Sequence, residues 1–154
     1  MPDISISIEN LQQVQFGLNN LAAQIQDPGE KLLNRLGETA IEDIDQRFMT
    51  RGYGTWPPLS PATIARKHGN AMVLIDTGAM FQSTRMNRMS EGQISVEVPY
   101  GGKDHDPDVP KKHQEGIGVP QRKIIEVTPK LTEALNNTVG KWIIDMLMAF
   151  GKAM

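Results

Sequence analysis

The chain has 154 residues, a size that suits one domain with a real core and is too short for two comfortable ones. Its 16 basic and 18 acidic residues leave a formal charge of -2, which argues against a protein whose main work is neutralising nucleic-acid phosphates. Cysteine is absent, which excludes a disulfide framework, a thiolate zinc site and a cysteine nucleophile.

The N-terminal residues MPDISISIEN lack the basic start and apolar run of a signal peptide. No stretch approaches the ~20 apolar residues of a membrane span, so the chain is expected to be soluble where it is made. Ile4, Ile6 and Ile8 alternate with Asp3, Ser5 and Ser7, the period-2 signature of a half-buried strand at a sheet edge or reaching a neighbour. Leu11, Val14, Leu18, Leu21, Ala22 and Ile25 then recur at helical spacing, and residues 1–26 together read as an N-terminal arm of strand and helix. Asp27, Pro28 and Glu30 supply an N-cap, an N1 proline and a capping-box acid for a second helix. Its buried stripe is Leu32, Leu33, Leu36, Ala40, Ile41, Ile44 and Phe48, and it ends at Arg51-Gly52. Glu38 with Glu42, and Asp43 with Arg47, read as its solvated face.

The stretch 51–83 has an order of residues that generic packing does not require. Gly52 and Gly54 give two positions where positive φ is free, so a sharp turn delivers Trp56 as a buried anchor. Ser60 and Pro61 form an N-cap and N1 pair for a short helix through about Lys67. Asp76 or Thr77 can cap a further turn through Met80 and Phe81. Residues 84–90 and 93–98 flank Glu91-Gly92 as a hairpin, with Ile94, Val96 and Val98 on its buried face. From 99 to 110 the Gly, Pro and Asp content predicts a long exposed loop, and the whole of 99–123 reads as an exposed insert. Residues 124–127 suggest a short strand. Thr128 and Pro129 start a final helix whose stripe is Leu131, Leu135, Val139, Trp142, Ile143, Met146, Leu147 and Phe150. The fold class implied is α+β: a small antiparallel sheet packed against two or three amphipathic helices, with long irregular loops, in a single domain over 1–154.

No catalytic set emerges. His105, Asp106, Asp108 and His113 could gather a metal, but their spacing matches no helix-borne or strand-borne ligand pair, so a solvated loop is the expectation and no metal is assigned. Asp76-Thr77-Gly78 has the letters of an aspartic protease without a second such carboxylate, and a helix cap accounts for them. Ser60 and Ser83 lack a triad. Lys103, Lys111, Lys112, Arg122 and Lys123 form the one basic concentration, interspersed with Asp104, Asp106, Asp108 and Glu115. Nearly self-neutralised and with only Tyr100 as an aromatic platform, it suits a salt-sensitive protein contact better than a nucleic-acid site.

Trp56, Pro58, Leu59, Ser60, Pro61, Thr63 and Lys67, followed by Leu74 to Gly78 with Met80 and Ser83, form an ordered series. With His113-Gln114-Glu115-Gly116 and Pro120-Gln121-Arg122, the series resembles the phage virion morphogenesis family, also called tail completion or neck proteins. The resemblance runs from about residue 30 to the end of the chain. It implies an α+β protein that joins phage head to tail as a non-catalytic, ring-forming part of the virion, present in the host cytoplasm during assembly. It implies a homo-oligomer of six or twelve copies that contacts connector, head-completion or tail-terminator proteins. No cofactor and no membrane enter, and DNA would at most pass through a channel. Trp56, Leu59, Asp76, Gly78, Tyr100, His113, Gln114, Gly116, Pro120 and Arg122 are then scaffold and interface positions. The charged insert between Tyr100 and His113 is expected to project from the ring, and Arg122 to meet a carboxylate on the next subunit. The reading from a different class is a small cytoplasmic nucleic-acid-binding module that uses the 103–123 basic loop.

Overall fold

A computed structural model describes residues 11–26, 29–90, 93–100 and 106–153. Among these residues six helices and one antiparallel hairpin follow in order: α1 (Leu11–Gln26), α2 (Gly29–Thr50), α3 (Pro61–Arg66), α4 (Ala79–Gln82), β1 (Arg85–Ser90), β2 (Gln93–Glu97), α5 (Val109–Glu115) and α6 (Pro129–Ala153). The chain is therefore the small α+β fold that its periodicities imply. The expected strand over 4–8, the Asp27-Pro28 cap and the Glu91-Gly92 turn lie outside the described residues.

Helix α2 is the central element, and its two sides carry different neighbours. On one side Thr39 Oγ1 and Thr138 Oγ1 share a hydrogen bond of 3.0 Å and Arg35 reaches Asp145 at 3.4 Å, which seats α6. Two residues along a helix is roughly a half-turn, so Gly37 faces away from Thr39. There the hairpin comes so close that a Cβ on Gly37 would overlap the Met86 sulfur. Ile44 and Phe48 lie on this second side too, in a core completed by Trp56, Val73, Met80, Val98 and Ile124. Phe48 meets Trp56 and Phe81 edge to face, with ring centroids 5.9 and 5.5 Å apart. Helix α1 packs on α6, with Gly17 against the Phe150 ring. Its expected stripe is only partly covered, since Leu18 is exposed.

In the hairpin, Arg85 pairs with Glu97, Met86 with Val96 and Asn87 with Ser95. Met86, Ile94 and Val96 thus share the face turned to α2. Arg85 and Asn87 both donate to Glu97 Oε1 on the opposite, polar face.

The turn after α2 goes further than two glycines require. Arg51, Gly52, Tyr53 and Gly54 have φ of 55, 63, 54 and 83°, one turn of left-handed helix closed by Gly54 N–H donating to Thr50 O. A left-handed conformation costs a non-glycine residue ~1–2 kcal/mol, so Arg51 and Tyr53 need compensation. Tyr53 has it. Its hydroxyl donates to Asp43 Oδ1 at 2.8 Å, its N–H donates to Thr50 Oγ1, and Lys130 Nζ lies 3.9 Å from its ring centre. Burial first, and the Asp43 bond second, push its phenol up to about 12.

Four expectations are corrected. Asp43 and Arg47 are not on a solvated face: they are 8% and 1% exposed. Arg47 Nε donates to Asp43 Oδ2 at 2.9 Å, and its other nitrogens reach Glu126 Oε2 and the backbone carbonyls of Lys123 and Glu126. Residues 124–127 form no strand: the chain bends at 124–125, and Glu126 O accepts from Arg47. Residues 99–123 are not one exposed loop, because Val109–Glu115 is helical and Arg122 is buried. Finally, α4 is capped by Gly78 and by Thr77, whose Oγ1 accepts from Ala79 N–H, while Asp76 stays exposed.

Candidate interface groove

The elements that follow α2 are short, and each is started or stopped by a specific residue. Ser60 Oγ accepts from Thr63 N–H at 3.2 Å with Pro61 at N1, so α3 begins where the sequence places it. Lys67 at its end donates to the carbonyls of Met72 and Ile75, both at 2.6 Å, and Asn70 holds Ile75 O as well. This clamp fixes the loop that leads to α4. Burial holds the Lys67 ammonium below its usual range, with Asp76 pulling the other way. On the far side, Gly116 in the left-handed region stops α5, and its N–H donates to Lys112 O.

Gln114 ties α5 to the segment before α6. Its Oε1 accepts from the N–H groups of Ile124 and Ile125 at 2.8 and 3.0 Å, and its Nε2 donates to Ile125 O. Three hydrogen bonds from one amide hold an irregular segment as a strand ladder would. Trp56 Nε1 donates to Lys123 O at 3.2 Å, fastening the elbow to the same segment.

Between α3, α4 and α5 opens a groove of about 720 Å³. Leu59, Leu74, Met80, Tyr100, Val109, Val119 and Pro120 supply its apolar lining, with Asp76 and Gly78 at one wall and His113 and Arg122 at the other. Of the ten motif positions, seven line this one concavity: Leu59, Asp76, Gly78, Tyr100, His113, Pro120 and Arg122. Trp56, Gln114 and Gly116 stand behind it as supports. Residues separated by more than sixty positions in the chain are thus brought together.

Arg122 does not face outward to a neighbour's carboxylate, contrary to expectation. It is 4% exposed, and its Nε and Nη2 donate to Pro57 O at 3.3 and 3.2 Å. Its Nη1 lies 3.4 Å from His113 Nδ1. A guanidinium can only donate, so Nδ1 accepts and the imidazole is neutral, with its proton on Nε2. Burial first, and the Arg122 charge second, hold His113 below its ordinary 6.5, partly opposed by a hydrogen bond to the Pro120 backbone. Arg122 is a latch that joins the α5 wall to the Pro57-Pro58 wall. Arg122, His113 and Lys67 are therefore engaged in holding the shape of the groove.

The basic concentration is dispersed. Lys112 pairs with Asp106 at 2.6 Å, Lys123 pairs with Glu126 at 3.1 Å, and Arg122 points inward. Lys103 and His105 lie outside the described residues. Among the described residues no cluster of three metal-ligating side chains occurs, and no helix is long and apolar enough to cross a membrane. Sequence reasoning missed the Asp43, Arg47, Tyr53 and Glu126 network, since i,i+4 charges look alike whether solvated or buried. The only hint was the Thr50-to-Gly54 turn that returns Tyr53 onto the helix. No family model, curated protein or solved structure matches this chain.

Proposed function

We propose that the chain is a non-catalytic structural subunit of a bacteriophage or prophage virion, forming a ring at the neck or tail end that completes the tail and joins it to the head. The observation that carries this reading is the convergence of the motif positions on one groove. Three of its polar side chains are engaged by the fold: Arg122 holds Pro57 O, Lys67 holds two carbonyls, and His113 accepts from Arg122, while Arg66 and Asp76 at its lining are exposed. Such a concavity is rigid and mostly apolar, suited to receiving part of a neighbouring protein. The partners are further copies, six or twelve in the ring, and connector, head-completion or tail-terminator proteins.

Exposed apolar residues support self-association. Phe16 and Leu18 on α1, and Ile144, Leu147 and Met148 on α6, stand in solvent in the isolated chain, Phe16 and Met148 at 69% and 64% exposure. Ile144, Leu147 and Met148, three and four residues apart, share one face of α6 and mark a candidate contact site. Mass in solution by light scattering, at low and high salt, tests the reading. A discrete high-order species, formed alone or on addition of connector proteins, is expected. A chain that stays monomeric with such partners and instead retains DNA in a salt-dependent way would point to the nucleic-acid module.

A further inference from the structure

The hairpin has an open edge. Among the described residues the backbone of Arg85–Ser90 bonds only to β2, so over Arg85–Arg88, before the register shift between Arg88 and Ser90, alternate N–H and C=O groups point away from the sheet without a described backbone partner. Helix α2 lies more over β2 than over β1, which leaves the outer side of β1 the more accessible. A sheet of two strands is marginal alone, and an open edge is a template for one more. We propose that residues 3–9 of a second copy of this chain add to the outer edge of β1 as its third strand. The inference rests on the ring reading above and names the contact between copies.

The match is chemical as well as topological. In the hairpin Met86, Ile94 and Val96 fall on one face, where Arg88 also falls by its pairing with Ile94, and Arg85, Asn87, Ser95 and Glu97 fall on the other. Residues 3–9 read DISISIE, with Ile4, Ile6 and Ile8 at one parity and Asp3, Ser5, Ser7 and Glu9 at the other. Laid beside β1, the isoleucines continue the apolar row and the polar residues continue the polar row. Charge leans the same way: β1 reads RMNRMS, with two arginines and no acid, of which Arg85 already pairs with Glu97, whereas 3–9 carries two acids and no base. Length agrees too, since seven extended residues span roughly 23 Å and the six of β1 roughly 20 Å.

The ring reading makes a second copy the donor, since the residues lead into α1, on the far side of α2 from the hairpin. Helix α1 packs on α6, α6 packs on the Arg35 and Thr39 side of α2, and the hairpin lies on the opposite, Gly37 side. Between Glu9 and Leu11 the chain spans at most about 7 Å.

The native absence of cysteine makes the test direct. Ser5→Cys or Ser7→Cys chains are mixed with Asn87→Cys chains under mild oxidation. A covalent heterodimer is expected, absent when Glu133→Cys on exposed α6 replaces Asn87→Cys. Removal of residues 1–9 is expected to lower the assembled mass toward one subunit with the thermal midpoint kept. No heterodimer, equal trapping by the Glu133→Cys control, or full mass without residues 1–9 would each overturn the strand exchange. A ring that survives the deletion would leave the ring reading standing. A heterodimer from a chain that forms no ring would do the opposite.

Discussion

Arg122 carries the sharpest consequence for a single side chain. With its fork on Pro57 O and its third nitrogen on His113, removal leaves a partly buried carbonyl and an imidazole nitrogen without partners. Each buried orphan costs ~1–3 kcal/mol, so Arg122→Met is expected to lower unfolding free energy by about 2–4 kcal/mol in urea denaturation. Arg122→Lys should rescue little, because an ammonium cannot place a planar fork. A midpoint unchanged within about 0.5 kcal/mol would deny the latch. His113 gives a pH signature through the same contact. Its folded-state value lies below the ordinary 6.5, so near and below that pH the unfolded chain takes up a proton that the folded protein refuses. Stability is therefore full above about pH 6.5 and falls on acidification until the folded imidazole itself protonates. Glu97, Asp106 and Glu126 are also held down by their cationic partners, and their contribution is lost only as pH falls into and below the ordinary carboxylate range, so the pH 6.5 onset belongs to His113. Thermal midpoints at pH 7.5 and 5.5 are expected to differ in the wild type and much less in His113→Gln. Equal differences in both would remove His113 as the cause.

At the scale of elements, the left-handed turn after α2 is the joint on which the groove depends. A Cβ on Gly52 would overlap the Trp56 indole, whereas one on Gly54 meets nothing, although both have positive φ. Gly54→Ala carries only the conformational cost of ~1–2 kcal/mol. Gly52→Ala adds displacement of a buried Trp and is expected to lose about 2–4 kcal/mol, measured as a denaturant midpoint. Equal losses would mean that the close approach to Trp56 contributes nothing. This contrast also shows what a sequence can and cannot convey. Helices α2, α3 and α6 were legible because caps and stripes are local: Ser60 with Pro61, Thr128 with Pro129, and Leu131 to Trp142 at helical spacing. Helix α5 was not, because Asp108 and Pro110 look like loop residues until the fold brings Gln114 to Ile124 and Ile125. The same long-range bonding turned Arg47 and Arg122 inward, and no spacing along the chain encodes a carbonyl 65 or 76 residues away. The groove positions were named individually from the sequence; that seven of them share one concavity is a property of the fold.

At the scale of the whole molecule, the described residues present three surfaces: the groove beside Arg122, the outer edge of β1, and the apolar side chains of α1 and α6. A subunit in a closed ring meets a neighbour on two unlike sides, and unlike surfaces are what a heterologous contact needs. Single-particle electron microscopy of the assembled chain, alone or with connector proteins, tests this most directly. A closed ring with the 58–122 groove and the β1 edge at subunit boundaries is expected. Monomers under all these conditions, or a ring in which that groove faces open solvent, would contradict it.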